Sequence, residues 1–294
     1  MRTKMMRHSK IERECTADQL SRFKTALALE TSPAASLGAA PLALIDGWPI
    51  TLSNMRQAVS EIATAAERGE GAAAFTLNLD HLVKLRASEK FRNAYRQARF
   101  ITADGAPVVR LASSQHKGIE RTTGADMVLP LAEEAARRGV PVYLFGSTAD
   151  VLGRAGQRLA ANTNGRLCIA GSSAPPMGFN PDGPEGDAAI DLIAASGARI
   201  CFVALGAPKQ ELLAARAVSR GVPVVFVGVG AALDFLAGRQ VRAPRAVQNA
   251  GLEWAWRLAS NPRRLALRYA RCALLFADLA LMSPLRRRPQ DVGA

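Results

Sequence analysis

Aromatic residues make up only 5% of this 294-residue chain, with three histidines and four cysteines. His8, His81 and His116 show no metal-ligand spacing. Cys15, Cys168, Cys201 and Cys272 are scattered without a Cys-x-x-Cys pair, which argues against a zinc site or a disulfide framework and predicts buried free thiols in a reducing cytosol. The scarcity of aromatics argues against a nucleic-acid partner, which needs stacking or basic residues spread over a sheet or groove. No Asp-x-Asp pair is present to hold a divalent ion on a diphosphate. The first residues lack the apolar run of a signal peptide, so export is not expected. No segment reaches the roughly 18 uninterrupted apolar residues of a membrane span, since Cys272 to Met282 is short and interrupted by Asp278.

Cofactor signatures are equally incomplete. Gly228-Val-Gly230-Ala-Ala-Leu233 begins like a dinucleotide fingerprint but lacks its third glycine. Gly146 to Gly153 has the wrong spacing, and no phosphate-loop lysine follows either run. A nicotinamide-dependent oxidoreductase is therefore disfavoured, and no cofactor is expected.

What is present is a repeated unit. The apolar runs Val140 to Phe145, Ile200 to Leu205 and Val222 to Val227 each end in glycine-containing turns, at Gly146, Gly206 and Gly228. Helical spacing follows, as from Asp150 to Ala161, with Ser147 and Asp150 at capping-box separation. Alternation of buried strand, turn and helix predicts an α/β fold, a Rossmann-like, mostly parallel sheet with helices on both faces. The turn Gly206-Ala-Pro-Lys-Gln-Glu211 would place backbone N–H groups, Lys209, Gln210 and Glu211 at the carboxyl edge of that sheet, where phosphate-bearing ligands bind. Gly171 to Asp187, rich in Ser, Pro and Gly, reads as a lid loop.

The net charge of +13 is concentrated at the ends. Residues 1 to 24 carry seven basic and three acidic side chains, and residues 239 to 294 carry eleven arginines and three acids, so the intervening body is nearly neutral. This divides the chain into a flexible basic leader, residues 1–40, an α/β body, residues 41–238, and a basic appendage, residues 239–294. In the appendage a helix from Arg263 to Met282 would carry Arg264, Arg268 and Arg271 on one face and Leu267, Leu274 and Leu281 on another, with Trp254 and Trp256 upstream. That pattern suits a helix lying on an anionic membrane surface or, alternatively, one packing its apolar side on the body.

Two further strands, Phe75 to Leu79 and Arg99 to Ala103, deliver Thr76, Asn78 and Asp104 to the same edge. A carboxylate on a strand-end turn can accept a hydroxyl proton, while an Asp-Gly turn can equally use its side chain to cap its own backbone. Thr76 also suits a strand as a β-branched residue, and Glu211 a helix start. Arg121 has Glu120 and Asp126 as surface partners, Asp234 a capping position, and Gly146, Gly228 and Gly230 turn roles.

Five blocks, in order, resemble the WecG/TagA/CpsF glycosyltransferases: Asp104-Gly105, Glu120 to Asp126, Val203 to Glu211, Val227 to Gly238, and Arg242-Ala-Pro followed by Gly251 to Trp254, Arg257, Pro262 and Arg264. The resemblance runs from about Ile45 to Tyr269. It implies an inverting, metal-independent transfer of a sugar from a UDP-sugar to a polyprenyl-diphosphate-linked saccharide on the cytoplasmic face of the membrane, by a peripheral enzyme. It implies Asp104 as the base that deprotonates the acceptor, with Thr76 beside the reacting centre. Asn78, Arg121, Gly146, Gly206, Lys209, Gln210, Glu211, Gly228, Gly230 and Asp234 would line the substrate site. Arg242, Arg257, Arg264 and Arg268 would approach the lipid diphosphate or close over the nucleotide. The resemblance also allows a homo-oligomer. Asn78-Leu79-Asp80-His81 and Asp104-Gly105-Ala106-Pro107 depart from the commoner family pattern and are similar to an exopolysaccharide branch that includes the xanthan-type glucosyltransferase. Glucose, N-acetylmannosamine and its uronic acid all stay open as the donor sugar.

Overall fold

The computed structural model describes residues 41–244, 246–247, 251–260 and 262–282. The leader, residues 1–40, and residues 283–294 lie outside the described residues, as do the side chains of Arg257 and Arg264.

The central sheet has six strands, all parallel: β3 (Ala72–Leu77), β4 (Ala98–Ala103), β5 (Val142–Gly146), β6 (Ile169–Ser173), β7 (Ile200–Ala204) and β8 (Val225–Gly228), in the order β4-β3-β8-β7-β5-β6. Strands β3, β5, β7 and β8 are buried throughout, which explains their continuous apolar composition. A separate antiparallel hairpin, β1 (Ala43–Ile45) with β2 (Trp48–Ile50), turns through Asp46 and Gly47, both at positive φ. The sequence pattern had not indicated it.

Side-chain alternation along the strands divides the core into two layers. Phe75, Leu77, Phe145, Cys201, Val203 and Phe226 point to one face, covered by the hairpin and by α2 (Leu79–Ala87), α3 (Glu89–Arg96), α4 (Ala106–Ser113), α7 (Pro184–Ala195) and α8 (Lys209–Ser219). Ala74, Leu144, Phe202 and Val227 point to the other, covered by α1 (Met55–Glu67), α5 (Gly124–Arg138), α6 (Ala149–Asn162) and α9 (Ala232–Leu236). The connections leaving β3 and β7 thus pass to one face and those leaving β5 and β8 to the other, the divergence at whose carboxyl edge α/β sheets generally bind their ligands.

Several local readings change in the tertiary structure. Thr148, not Ser147, caps α6, its Oγ1 accepting from the Val151 N–H at 3.4 Å. Ser147 sits at φ 47° and points its hydroxyl to Asp234 Oδ1 at 3.2 Å. The loop between β6 and α7 is shorter than Gly171 to Asp187 and is anchored by Phe179, which is buried against Phe145. Cys201 and Cys272 are buried free thiols as expected, whereas Cys168 is disulfide-bonded.

Gly146 shows why a particular residue is needed at a strand end. Its φ is 117°, and a Cβ there would lie 2.4 Å from the Ala204 carbonyl oxygen of the neighbouring strand. Gly146→Ala is expected to cost about 3 kcal/mol, through backbone strain and the clash together. A lowered denaturant midpoint with unchanged slope would show it, and an unchanged midpoint would refute it.

The appendage contributes α10 (Glu253–Ser260) and α11 (Pro262–Met282). Helix α11 docks along α2 by burying Leu265, Cys272 and Leu275, with ion pairs Arg268–Asp80 at 2.9 Å and Arg86–Asp278 at 2.8 Å. A second apolar stripe on the same helix, Leu267, Leu274 and Leu281, faces outward and is 64–74% exposed. The helix therefore packs on the body through one apolar stripe and presents another. Among the described residues, no helix is long and apolar enough to cross a membrane.

Candidate active site

The carboxyl ends of β3 and β4 bring Thr76, Asn78 and Asp104 together. Thr76 Oγ1 and Asn78 Nδ2 both donate to Asp104 Oδ2, each at 3.4 Å. Asn78 serves the fold at the same time: it is the N-cap of α2, its Oδ1 accepting from the His81 N–H at 2.9 Å. The Asp104 N–H donates to the Leu77 carbonyl at 2.9 Å, so the register of β3 against β4 sets the height of the carboxylate. Asp104 is half-buried, followed by Gly105 at φ 85°, which turns the chain into α4.

The ends of β7 and β8 hold a second group. Gly206, at φ 72°, and a cis Ala207–Pro208 bond lead into α8. Gln210 and Glu211, in its first turn, are 5% and 0% exposed. Gln210 Nε2 donates to Glu211 Oε1 at 2.8 Å, and Gln210 Oε1 accepts from the Gly230 N–H at 3.0 Å. The Gln210 side chain lies on Gly228, where a Cβ would come 2.8 Å from Nε2. Both ends of this amide are thus engaged within the protein. Lys209 turns aside, its Nζ donating to the Phe179 carbonyl at 2.8 Å.

A third group stands at the start of α5. Asp126 accepts from Arg242 Nη1 at 2.5 Å and from Thr123 Oγ1 at 2.8 Å, and pairs with Arg121 Nη2 at 3.3 Å. Burial works against its charge, but the hydrogen bonds from Arg242 and Thr123 outweigh it and hold its carboxyl below the usual range. Arg242 packs its guanidinium 5.9 Å from the Phe235 ring, reaches Glu253 at 3.7 Å and feels the charge of Asp104. Its buried Nε has no hydrogen-bond partner. The first residues of the appendage thus form part of the site. Asp234 completes the edge, between Ser147 and Arg239, the latter at 3.6 Å.

Arg268 pairs with Asp80, in the first turn of the helix that Asn78 caps. Among the described residues, no cluster of three or more His, Cys, Asp or Glu is arranged to hold a metal ion. Sequence reasoning overlooked His81, Tyr95 and the central part played by Asp126. Asp126 had a sequence signal, since Thr123 and Asp126 have capping-box spacing. His81 and Tyr95 had no comparable signal.

The parallel α/β sheet thus carries the half-buried Asp104 at its carboxyl edge, the edge where such folds bind their ligands, and Arg242, paired with Asp126, is near enough to feel its charge. The model of the Glycosyl transferase WecG/TagA/CpsF family matches residues 43–290, and the chain belongs to that family. It is accordingly a glycosyltransferase of cell-surface polysaccharide synthesis, using a nucleotide-sugar donor and a lipid-linked acceptor.

Proposed function

We propose that this enzyme transfers a sugar, with inversion and without a metal ion, from a UDP-sugar to a polyprenyl-diphosphate-linked saccharide. The observation that carries this reading is the convergence of Thr76 and Asn78 on one oxygen of Asp104. Two donors on Oδ2 orient the carboxylate at the carboxyl edge of the sheet, where it accepts the proton of the acceptor hydroxyl as that oxygen attacks the anomeric carbon. The bond from that carbon to the UDP oxygen breaks, and the transition state carries positive charge on the sugar and growing negative charge on the departing diphosphate. Arg121 and Arg242, held together by Asp126, supply cationic charge next to that position.

In this reading residues 41–238 form the catalytic body, residues 239–294 a membrane-associating appendage and residues 1–40 a basic leader. Leu267, Leu274 and Leu281, with the half-exposed Trp254 and Trp256, form an apolar surface on the appendage that suits the interface of an anionic bilayer, where the acceptor resides. The enzyme then works peripherally on the cytoplasmic face. Changing the three leucines together to serine should lower co-sedimentation with anionic vesicles at least about tenfold. Undiminished binding would remove α11 from the membrane interface.

The test of the reaction is UDP release from a panel of UDP-sugars with a short-chain prenyl-diphosphate-linked saccharide, in the presence of EDTA. Release with one donor that depends on the acceptor supports it. No release with any donor, even with native lipid extract as acceptor, would overturn it.

A further inference from the structure

The two halves of the catalytic edge, Asp104 with Thr76 and Gln210 with Gly230, are joined underneath by a buried polar chain that the proposed mechanism leaves unused. Tyr95, fully buried on α3, donates its hydroxyl proton to the Thr76 carbonyl at 3.0 Å. His81 Nδ1 stands 2.5 Å from the same hydroxyl oxygen. His81 Nε2 faces Glu211 Oε1 at 3.9 Å, and Glu211 holds Gln210, which holds the Gly230 N–H.

Proton counting constrains this chain. With the single hydroxyl proton of Tyr95 directed to the Thr76 carbonyl, which can only accept, His81 Nδ1 is the donor to the Tyr95 oxygen. In a neutral imidazole Nε2 is then bare. A bare nitrogen facing a carboxylate in a dry interior is repulsive, and Glu211 Oε2 is buried without a hydrogen-bond partner, a costly place for half of an anion. One exchangeable proton therefore belongs to the pair.

We propose that His81 and Glu211 are positioning residues that share one proton: His81 fixes Tyr95 on the Thr76 carbonyl, protonated Glu211 fixes the Gln210 amide on Gly230, and together they hold the base and the donor-binding turn in register. This rests on the transferase reading for what is positioned, but the proton itself does not depend on it.

The charges around the pair are consistent with that placement. Asp80 and Lys84 on α2 pair with each other, Arg268 on α11 binds Asp80, and Asp104 lies beyond Tyr95. Burial is the largest influence on both groups: it raises the Glu211 carboxyl to about 7 and lowers the His81 imidazole to about 4. Lys84 favours ionised Glu211 and Asp80 opposes it. The proton consequently resides on Glu211 in mildly acidic solution and leaves near neutrality.

Two measurements test this. Nitrogen-15 NMR of the imidazole should show His81 as the neutral Nδ1–H tautomer while Glu211 is protonated, from pH 5 to 6.5, with a step in the Nε2 resonance near pH 7 that is absent in Glu211→Gln. An imidazolium titrating near its ordinary value, the Nε2–H tautomer, or a step that persists in Glu211→Gln would overturn the shared proton. For positioning, Tyr95→Phe, which keeps the ring and removes the link, should lower kcat for UDP release on the order of tenfold, with donor KM held within about twofold. An unchanged kcat in Tyr95→Phe would overturn the positioning role. Failure of the wild-type enzyme to release UDP would overturn the transferase reading and leave the NMR result standing.

Discussion

Asp104→Asn is expected to lower acceptor-dependent UDP release about 1,000-fold, within the range by which a positioned general base accelerates proton transfer. The amide is nearly isosteric and can still accept from Thr76 and Asn78 through its oxygen, so the fold and donor binding should persist while the proton acceptor is gone. The measurement is single-turnover UDP release, with donor affinity followed separately by titration calorimetry. A loss of less than about fivefold with donor affinity intact would remove Asp104 from the role of base. A parallel collapse of donor affinity would instead assign it to binding.

The buried pair makes the second large prediction, and its two members act in opposite directions. Glu211 titrates higher in the folded protein than its ordinary 4.5, so its contribution to stability is full below pH 4.5 and is lost as pH rises through about 7. His81 titrates lower than its ordinary 6.5, so its contribution is full above pH 6.5 and is lost as pH falls through about 4. Each is worth roughly 3 kcal/mol over its window. In the wild type they largely cancel between pH 4.5 and 6.5, and single substitutions should expose them. Relative to wild type, Glu211→Gln should gain roughly 3 kcal/mol between pH 4.5 and 7, and His81→Asn should gain a similar amount as pH falls from 6.5 to 4. Denaturant unfolding across that range measures both. Stability differences that stay flat with pH would show that neither group is perturbed.

The covalent pattern and the site were legible to different degrees. Continuous apolar runs ending in glycine announced parallel strands because a strand buried on both faces needs no polar alternation. The hairpin at Ala43–Ile50 was missed because strands of three residues carry no period to read. Asp104, Thr76 and Asn78 were individually nameable as strand-end residues. Their convergence, however, depends on β3 lying beside β4 in a fixed register, which relates residues 26 and 28 positions apart.

What the sequence determined by itself was local: strand burial, the helices with their spacing, the charge asymmetry between body and ends, and motif blocks specific enough to indicate the family. Tertiary structure alone decided which partners each of these side chains meets. Gln210 reads as a pocket ligand in one dimension, and the fold adds a hydrogen bond at each end of its amide once β8 brings Gly230 beside α8. Arg268 reads as one of a row of cationic residues, yet docking of α11 turns it to Asp80. The physical reason is the same in each case. A polar group withdrawn from water must find a partner, and the available partner is set by which strands and helices are neighbours, a relation that spacing along the chain does not contain.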